Sequence, residues 1–332
     1  MTAMRRKVYI LSALVGLMLM LAGCIYDDLP SASSSTGDAG KQGPPSAGLA
    51  AIGLSASVIS QGAAATATTR AGTAIQATQF DNAETFYAYF PADATINYVA
   101  APVNTTYTTD GSGGATPAIQ PYFSAGITSV TVHAYYPSSV TETTSSFSVA
   151  SDQTTTANYK ASDLMYATCT ATRSAGDFEG YGSLVFNHRM VKIIVSATAN
   201  TSKGVNTITD VRIIGGHRTI DITTPLTCTL GTTLSDANST GDYISVYTGG
   251  ASATASCAAL IVPETVTGSF LQVITDMGSA YYSLDGKVFA SGSAYTFDIT
   301  ISAADINLTT EITNWGDGGT TTLVNNGTEA LN

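Results

Sequence analysis

The chain has 332 residues, 44% of them hydrophobic and only 11% charged, with a net charge of −11 and an isoelectric point near 4.5. Its few basic residues are not gathered into the face or stripe that phosphate neutralisation requires, which excludes nucleic acid as a partner. His133, His188 and His217 lie far apart, and no HExxH, CxxC, GxSxG, phosphate loop or calcium loop occurs, so the residues predict no catalytic centre, no metal site and no cofactor.

In chain order, Arg5, Arg6 and Lys7 precede an apolar run over 8–22, the pattern of a secretory signal and shorter than the roughly 20 apolar residues a spanning helix needs. The run ends on Leu21-Ala22-Gly23-Cys24, which resembles the lipobox of bacterial lipoproteins. That resemblance implies a signal peptide over 1–23 and an acylated Cys24 holding the protein at the outer membrane. Residues 24–48 are the tether: Ser31–Gly48 is mostly Ser, Gly, Ala and Pro with Asp38 and Lys41 as its only charges, a composition with too little apolar surface to order itself. Asp27-Asp28, just after Cys24, resembles the acidic signal that sends lipoproteins on to the cell surface.

Ile52, Leu54, Ala56 and Val58 alternate with Gly53, Ser55 and Ser57, which predicts a strand with one buried face. Residues 60–74 are small and weakly structured, and Arg70 is the one basic residue between Lys41 and Lys160, placing it on an accessible loop. Strands are predicted at Thr85–Phe90, Val130–Tyr136 and Ser145–Ala150, separated by turn chemistry at Asp110–Gly114 and Pro137–Ser139, and Asp163–Ala167 is a further short apolar unit. The loose stretch Thr172–Gly182 marks a domain boundary, giving domains over 71–178 and 179–332.

The second half opens with Ser183–Ala197, read as one strand carrying a bulge near Asn187-His188. Further strands are predicted at Val205–Gly215, Tyr243–Tyr247, Ala258–Pro263, Phe270–Thr275, Ala280–Leu284 and Ala294–Ile301, with Asp285-Gly286 as a hairpin turn. Only Ser302–Asn307 suggests a helical turn. The expectation is an all-β chain of two β-sandwiches in series. Of Cys169, Cys228 and Cys257, at most Cys228 and Cys257 pair. Tyr87, Tyr89, Tyr135 and Tyr136 suggest either a stacking surface for carbohydrate or the ordinary faces of strands.

Several segments together resemble the fimbrillin family of lipoprotein-derived pilus subunits. They are the lipobox at Cys24, Thr68-Thr69-Arg70-Ala71-Gly72, the stretch 186–193 (Phe-Asn-His-Arg-Met-Val-Lys-Ile), 292–297 (Gly-Ser-Ala-Tyr-Thr-Phe), and Ile312-Thr313-Asn314-Trp315. The resemblance implies transthyretin-like sandwiches and a pro-segment over 49–70 removed by a trypsin-like surface protease cutting between Arg70 and Ala71. It further implies donor-strand addition among fimbrial subunits, which moves the protein from the outer membrane surface into a fimbrium. After Trp315 the chain departs from the pattern, since Thr320–Val324 is only weakly apolar; stalk, tip and anchor roles stay open. The alternative is an uncleaved, lipid-anchored fimbrial anchor, or a glycan-binding adhesin facing a host or bacterial surface ligand.

Overall fold

A computed structural model describes residues 50–59, 79–91, 104–124, 126–303, 306–314 and 320–325. The strands of the first half are β1 (Ala50–Val58), β2 (Asn82–Tyr89), β3 (Asn104–Asp110), β4 (Gly114–Pro117), β5 (Tyr122–Phe123), β6 (Ser129–Tyr136), β7 (Ser146–Ser148), β8 (Met165–Thr172) and β9 (Glu179–His188). Those of the second half are β10 (Val191–Ala199), β11 (Ile208–Ile213), β12 (His217–Thr224), β13 (Thr229–Ala237), β14 (Ile244–Ser252), β15 (Thr254–Ile261) and β16 (Glu264–Thr265). They continue with β17 (Ser269–Thr275), β18 (Gly278–Ser283), β19 (Val288–Phe289), β20 (Ser293–Ile301), β21 (Ile306–Asn314) and β22 (Thr320–Asn325). One short helix, α1 (Thr156–Ala161), is capped by the Thr155 hydroxyl, which accepts from the Asn158 N–H. The fold is all-β.

In the first half the strands run β4-β3-β2-β6-β8-β9-β1, and β1 then pairs back to β4, so the sheet closes on itself like a barrel. Here the structure differs from the expected open sandwich. The cause is β1, which bonds to β9 on one side and to β4 and β5 on the other, leaving neither lip free. Inside lie Ile52, Leu54, Phe86, Phe90, Tyr107, Phe123, Leu184 and Phe186, all buried.

The second half builds a five-stranded sheet, β15-β10-β20-β21-β22, and a four-stranded sheet, β14-β11-β17-β18, around a separate core that includes Val195, Val211, Leu260, Phe270 and Phe297. Tyr135 of β6 and Tyr166 of β8 belong to this second core, while their neighbours Tyr136 and Met165 face the first. The alternation of strand side chains thus lets β6 and β8 serve both cores. Strand β7 pairs with β12, adding a further tie between the halves.

Several expectations change. Ser183–Ala197 is two strands in two sheets, not one bulged strand: β9 ends at His188 and β10 begins at Val191. Asp285-Gly286 is a turn, with Lys287 N–H bonded to Leu284 C=O at 2.9 Å, but it joins strands of different sheets; the hairpin partner of β18 is β17. Ile306 and Asn307 lie in β21, not in a helical turn. Cys169, Cys228 and Cys257 are all free thiols.

Candidate strand-replacement site

The alternation at Ile52, Leu54, Ala56 and Val58 places each of these side chains inside the closed sheet, at no more than 5% exposure, while Ser55 faces outward. Strand β1 runs parallel to β9 in unbroken register from Ala51↔Glu179 to Val58↔Phe186. On its other side it is antiparallel to β5 at Ala50↔Phe123 and to β4 at Leu54↔Ala115. The lips are stitched by Ile52 N–H to Pro121 C=O, Ala56 N–H to Gly113 C=O and Ile59 N–H to Phe186 C=O, each 2.9 Å. The Gln120 side chain donates to the Ile52 carbonyl at 3.0 Å. Burying Ile52, Leu54 and Val58 contributes roughly 5 to 9 kcal/mol gross, taking ~1.5 to 3 kcal/mol for each side chain.

Just before β2, Phe80 is buried against the same end of β1. Its ring lies 5.0 Å from Phe186, 5.3 Å from Tyr136 and 6.0 Å from Phe86. Both ends of the connection between β1 and β2 therefore converge on Phe186. Beyond Phe80, Lys160 of α1 bridges Asp81 at 2.6 Å and Glu84 at 2.5 Å. Burial pulls the Lys160 ammonium pKa down, but its two carboxylate partners outweigh this and hold it above the ordinary value. The Tyr136 hydroxyl donates to Glu84 at 3.0 Å. The start of β2 is thus fastened independently of β1.

Cys24, Asp27, Asp28, Arg70, Ala71 and Trp315 lie outside the described residues. The tyrosines do not make a stacking surface: Tyr135 and Tyr136 are buried, and Tyr87 and Tyr89 pack half-buried against the second core. Tyr87 donates to Glu142 at 2.7 Å. The closed first sheet covers one face of the strands that carry them and the second core covers the other, which sequence alternation alone does not reveal.

The three histidines stay apart. His133 Nδ1 is 2.7 Å from the Tyr166 hydroxyl, His188 Nδ1 2.7 Å from Asp163, and His217 Nδ1 2.8 Å from Glu264. Burial holds the His133 imidazole below its usual pKa. Among the described residues no three His, Cys, Asp or Glu side chains meet as a metal would need. Burial also pushes the thiols up, Cys169 and Cys228 to about 11 and Cys257 to about 12.

A family model described as fimbrillin-like matches residues 63–315. The chain belongs to the fimbrillin-like family. This fimbrillin shares its fold with a candidate cell adhesion protein of Bacteroides ovatus ATCC 8483: TM-score 0.60 at 16% identity, covering 81% of this chain and 98% of the other. It is similar in the same way to a candidate cell adhesion protein of Bacteroides uniformis ATCC 8492, with TM-score 0.55 at 17% identity, covering 82% of this chain and all of the other. No curated protein matches the chain by sequence. The family match begins after β1 has ended, so the strand that closes the first sheet lies outside the matched span.

Proposed function

We propose that this fimbrillin is a fimbrial subunit made as a lipoprotein and assembled by exchanging one strand. Cys24 carries the lipid that first holds it at the outer membrane, Asp27 and Asp28 direct it to the cell surface, and cleavage between Arg70 and Ala71 releases the segment ending in β1. The mature subunit comprises two domains, one on each core, and a strand from another subunit refills the groove.

The observation that carries this reading is the geometry of β1. It is the first of the described strands, buried on one face and bonded along both edges, and the chain runs on from it into the body through a connection that leaves and returns at Phe186. A cut within that connection leaves Phe80, Asp81 and Glu84 with their own partners. Departure of β1 then bares the backbone of β9 and the inner side chains it covered, an edge that another strand satisfies by main-chain bonding and alternate-side-chain packing. Such head-to-tail linkage of one subunit to the next makes an open filament.

Replacing Arg70 by Ala, followed by electron microscopy and size analysis of surface extracts, tests the reading. The expected product is an uncut, lipidated monomer, and fibres unchanged in number and length would refute cleavage at this position.

A further inference from the structure

The β1/β9 pair is matched in size by residues on both strands. On the inner face Ile52 is partnered with Gly180 and Leu54 with Gly182; on the outer face Gly53 is partnered with Tyr181. A Cβ at Gly182 would stand 2.8 Å from Cys169 Sγ and 3.1 Å from Leu54 Cδ2, so Leu54 and Cys169 fill the space that a side chain there would take. A Cβ at Gly180 would meet Phe123 at 2.6 Å and the Thr172 carbonyl at 2.7 Å. Outside, a Cβ at Gly53 would stand 2.7 and 2.8 Å from Cδ1 and Cε1 of Tyr181. That ring covers the bare backbone of β1 although it is 65% exposed, and its hydroxyl donates to Glu179. An aromatic laid over a cross-strand glycine is a device that pins register.

We infer that β9 selects a strand by the triplet aliphatic-Gly-aliphatic, and that the strand replacing β1 comes from a different subunit bearing such a triplet, not from residues 306–325 of a second copy. The identity of the partner rests on the strand-replacement reading above; the triplet rule does not. A shift by one residue turns every side chain to the wrong face, and a shift by two keeps the alternation but sets a side chain under Tyr181. In this sequence Ile, Leu or Val flank a glycine on both sides only at Ile52-Gly53-Leu54 and at Val15-Gly16-Leu17 of the N-terminal apolar run. Gly316, Gly318, Gly319 and Gly327, the glycines of the C-terminal segment, have Asp, Gly, Thr, Asn or Trp as neighbours. That segment does not present the triplet.

Two arms test this. In the uncut chain, Gly53→Val should raise hydrogen exchange across β1 roughly tenfold to a hundredfold, and adding Tyr181→Ala should restore most of the protection. A Gly53→Val effect that Tyr181→Ala leaves unchanged would overturn the triplet rule. In the second arm a specific protease site is placed between Ile59 and Phe80, independent of Arg70, and the cut protein is offered three labelled peptides. They are residues 50–58, the same peptide with Val at the Gly53 position, and residues 306–325. The first should enter the groove, the second should bind at least about tenfold more weakly except on the Tyr181→Ala protein, and the third should not compete. Entry of the 306–325 peptide at comparable affinity would overturn the different-subunit partner. Failure of all three to enter would overturn strand replacement, and the partner with it, while the uncut arm still decides the triplet.

Discussion

Each half of this fimbrillin contains one long parallel pair of strands, and the two pairs are held in opposite ways. In the second half β10 and β20 run parallel from Lys192↔Ala294 to Ala199↔Ile301, and each is flanked by a further strand, β15 on one side and β21 on the other. In the first half β1 and β9 are parallel over a similar length, but β1 comes first among the described strands and is joined to the body by a single connection. Parallel neighbours need a crossover between them, so both pairs are non-local. The lesson is that equal packing does not mean equal permanence: β20 is trapped by covalent continuity on both sides, whereas one cut makes β1 a ligand of its own fold.

The largest effect expected from breaking this comparison is at Phe186, fully buried where β1, Phe80 and Phe86 meet. Phe186→Ala should cost about 3–5 kcal/mol in denaturant unfolding. Next, Leu54→Ala and Ile299→Ala remove comparable buried side chains from β1 and β20, and each should cost about 2–5 kcal/mol in the intact chain. After a cut between β1 and β2 they should part company. The Leu54 variant should release the β1 fragment faster on size exclusion, and the Ile299 variant should not; equal release would remove the distinction between the halves.

A smaller effect concerns how the second half protects an edge. Gln153, fully buried, donates to the Leu260 carbonyl and accepts from its N–H, both at 2.8 Å, so a side chain does for β15 what a whole strand does for β9. Gln153→Ala should cost about 1–3 kcal/mol by leaving that backbone pair unmatched.

The smallest effect is on pH. Burial disfavours the charged His133 imidazole in the folded state, so the unfolded chain binds a proton that the folded chain resists. Stability should be full above pH 6.5, the ordinary value for histidine, and decline as pH falls below it; His133→Gln should flatten that slope in thermal melts.

Much of the fold was legible because alternation survives in a single sequence. β1, β2, β6 and most strands of the second half follow from period-two patterns such as Phe86, Ala88 and Phe90. β3, β4, β12 and β13 were missed, since runs such as Asn104-Thr105-Thr106 and Gly114-Ala115-Thr116 carry little apolar contrast and are fixed by their partners in the sheet. The inner half of the groove was legible at Ile52, Leu54, Ala56 and Val58. The wall that receives these side chains was not: Gly180 and Gly182 read as loop residues, and their role appears only when β9 lies against β1. Closure of the first sheet likewise depends on β1 meeting β4 across more than fifty residues of chain, a pairing that no local pattern encodes.

Assembly by strand replacement turns on whether β1 is discarded. Mass spectrometry of the subunit in fibres sheared from the cell surface measures this directly. Strand replacement predicts a mature N-terminus at Ala71 with residues 24–70 absent, and finding only chains that begin at an acylated Cys24 would contradict it.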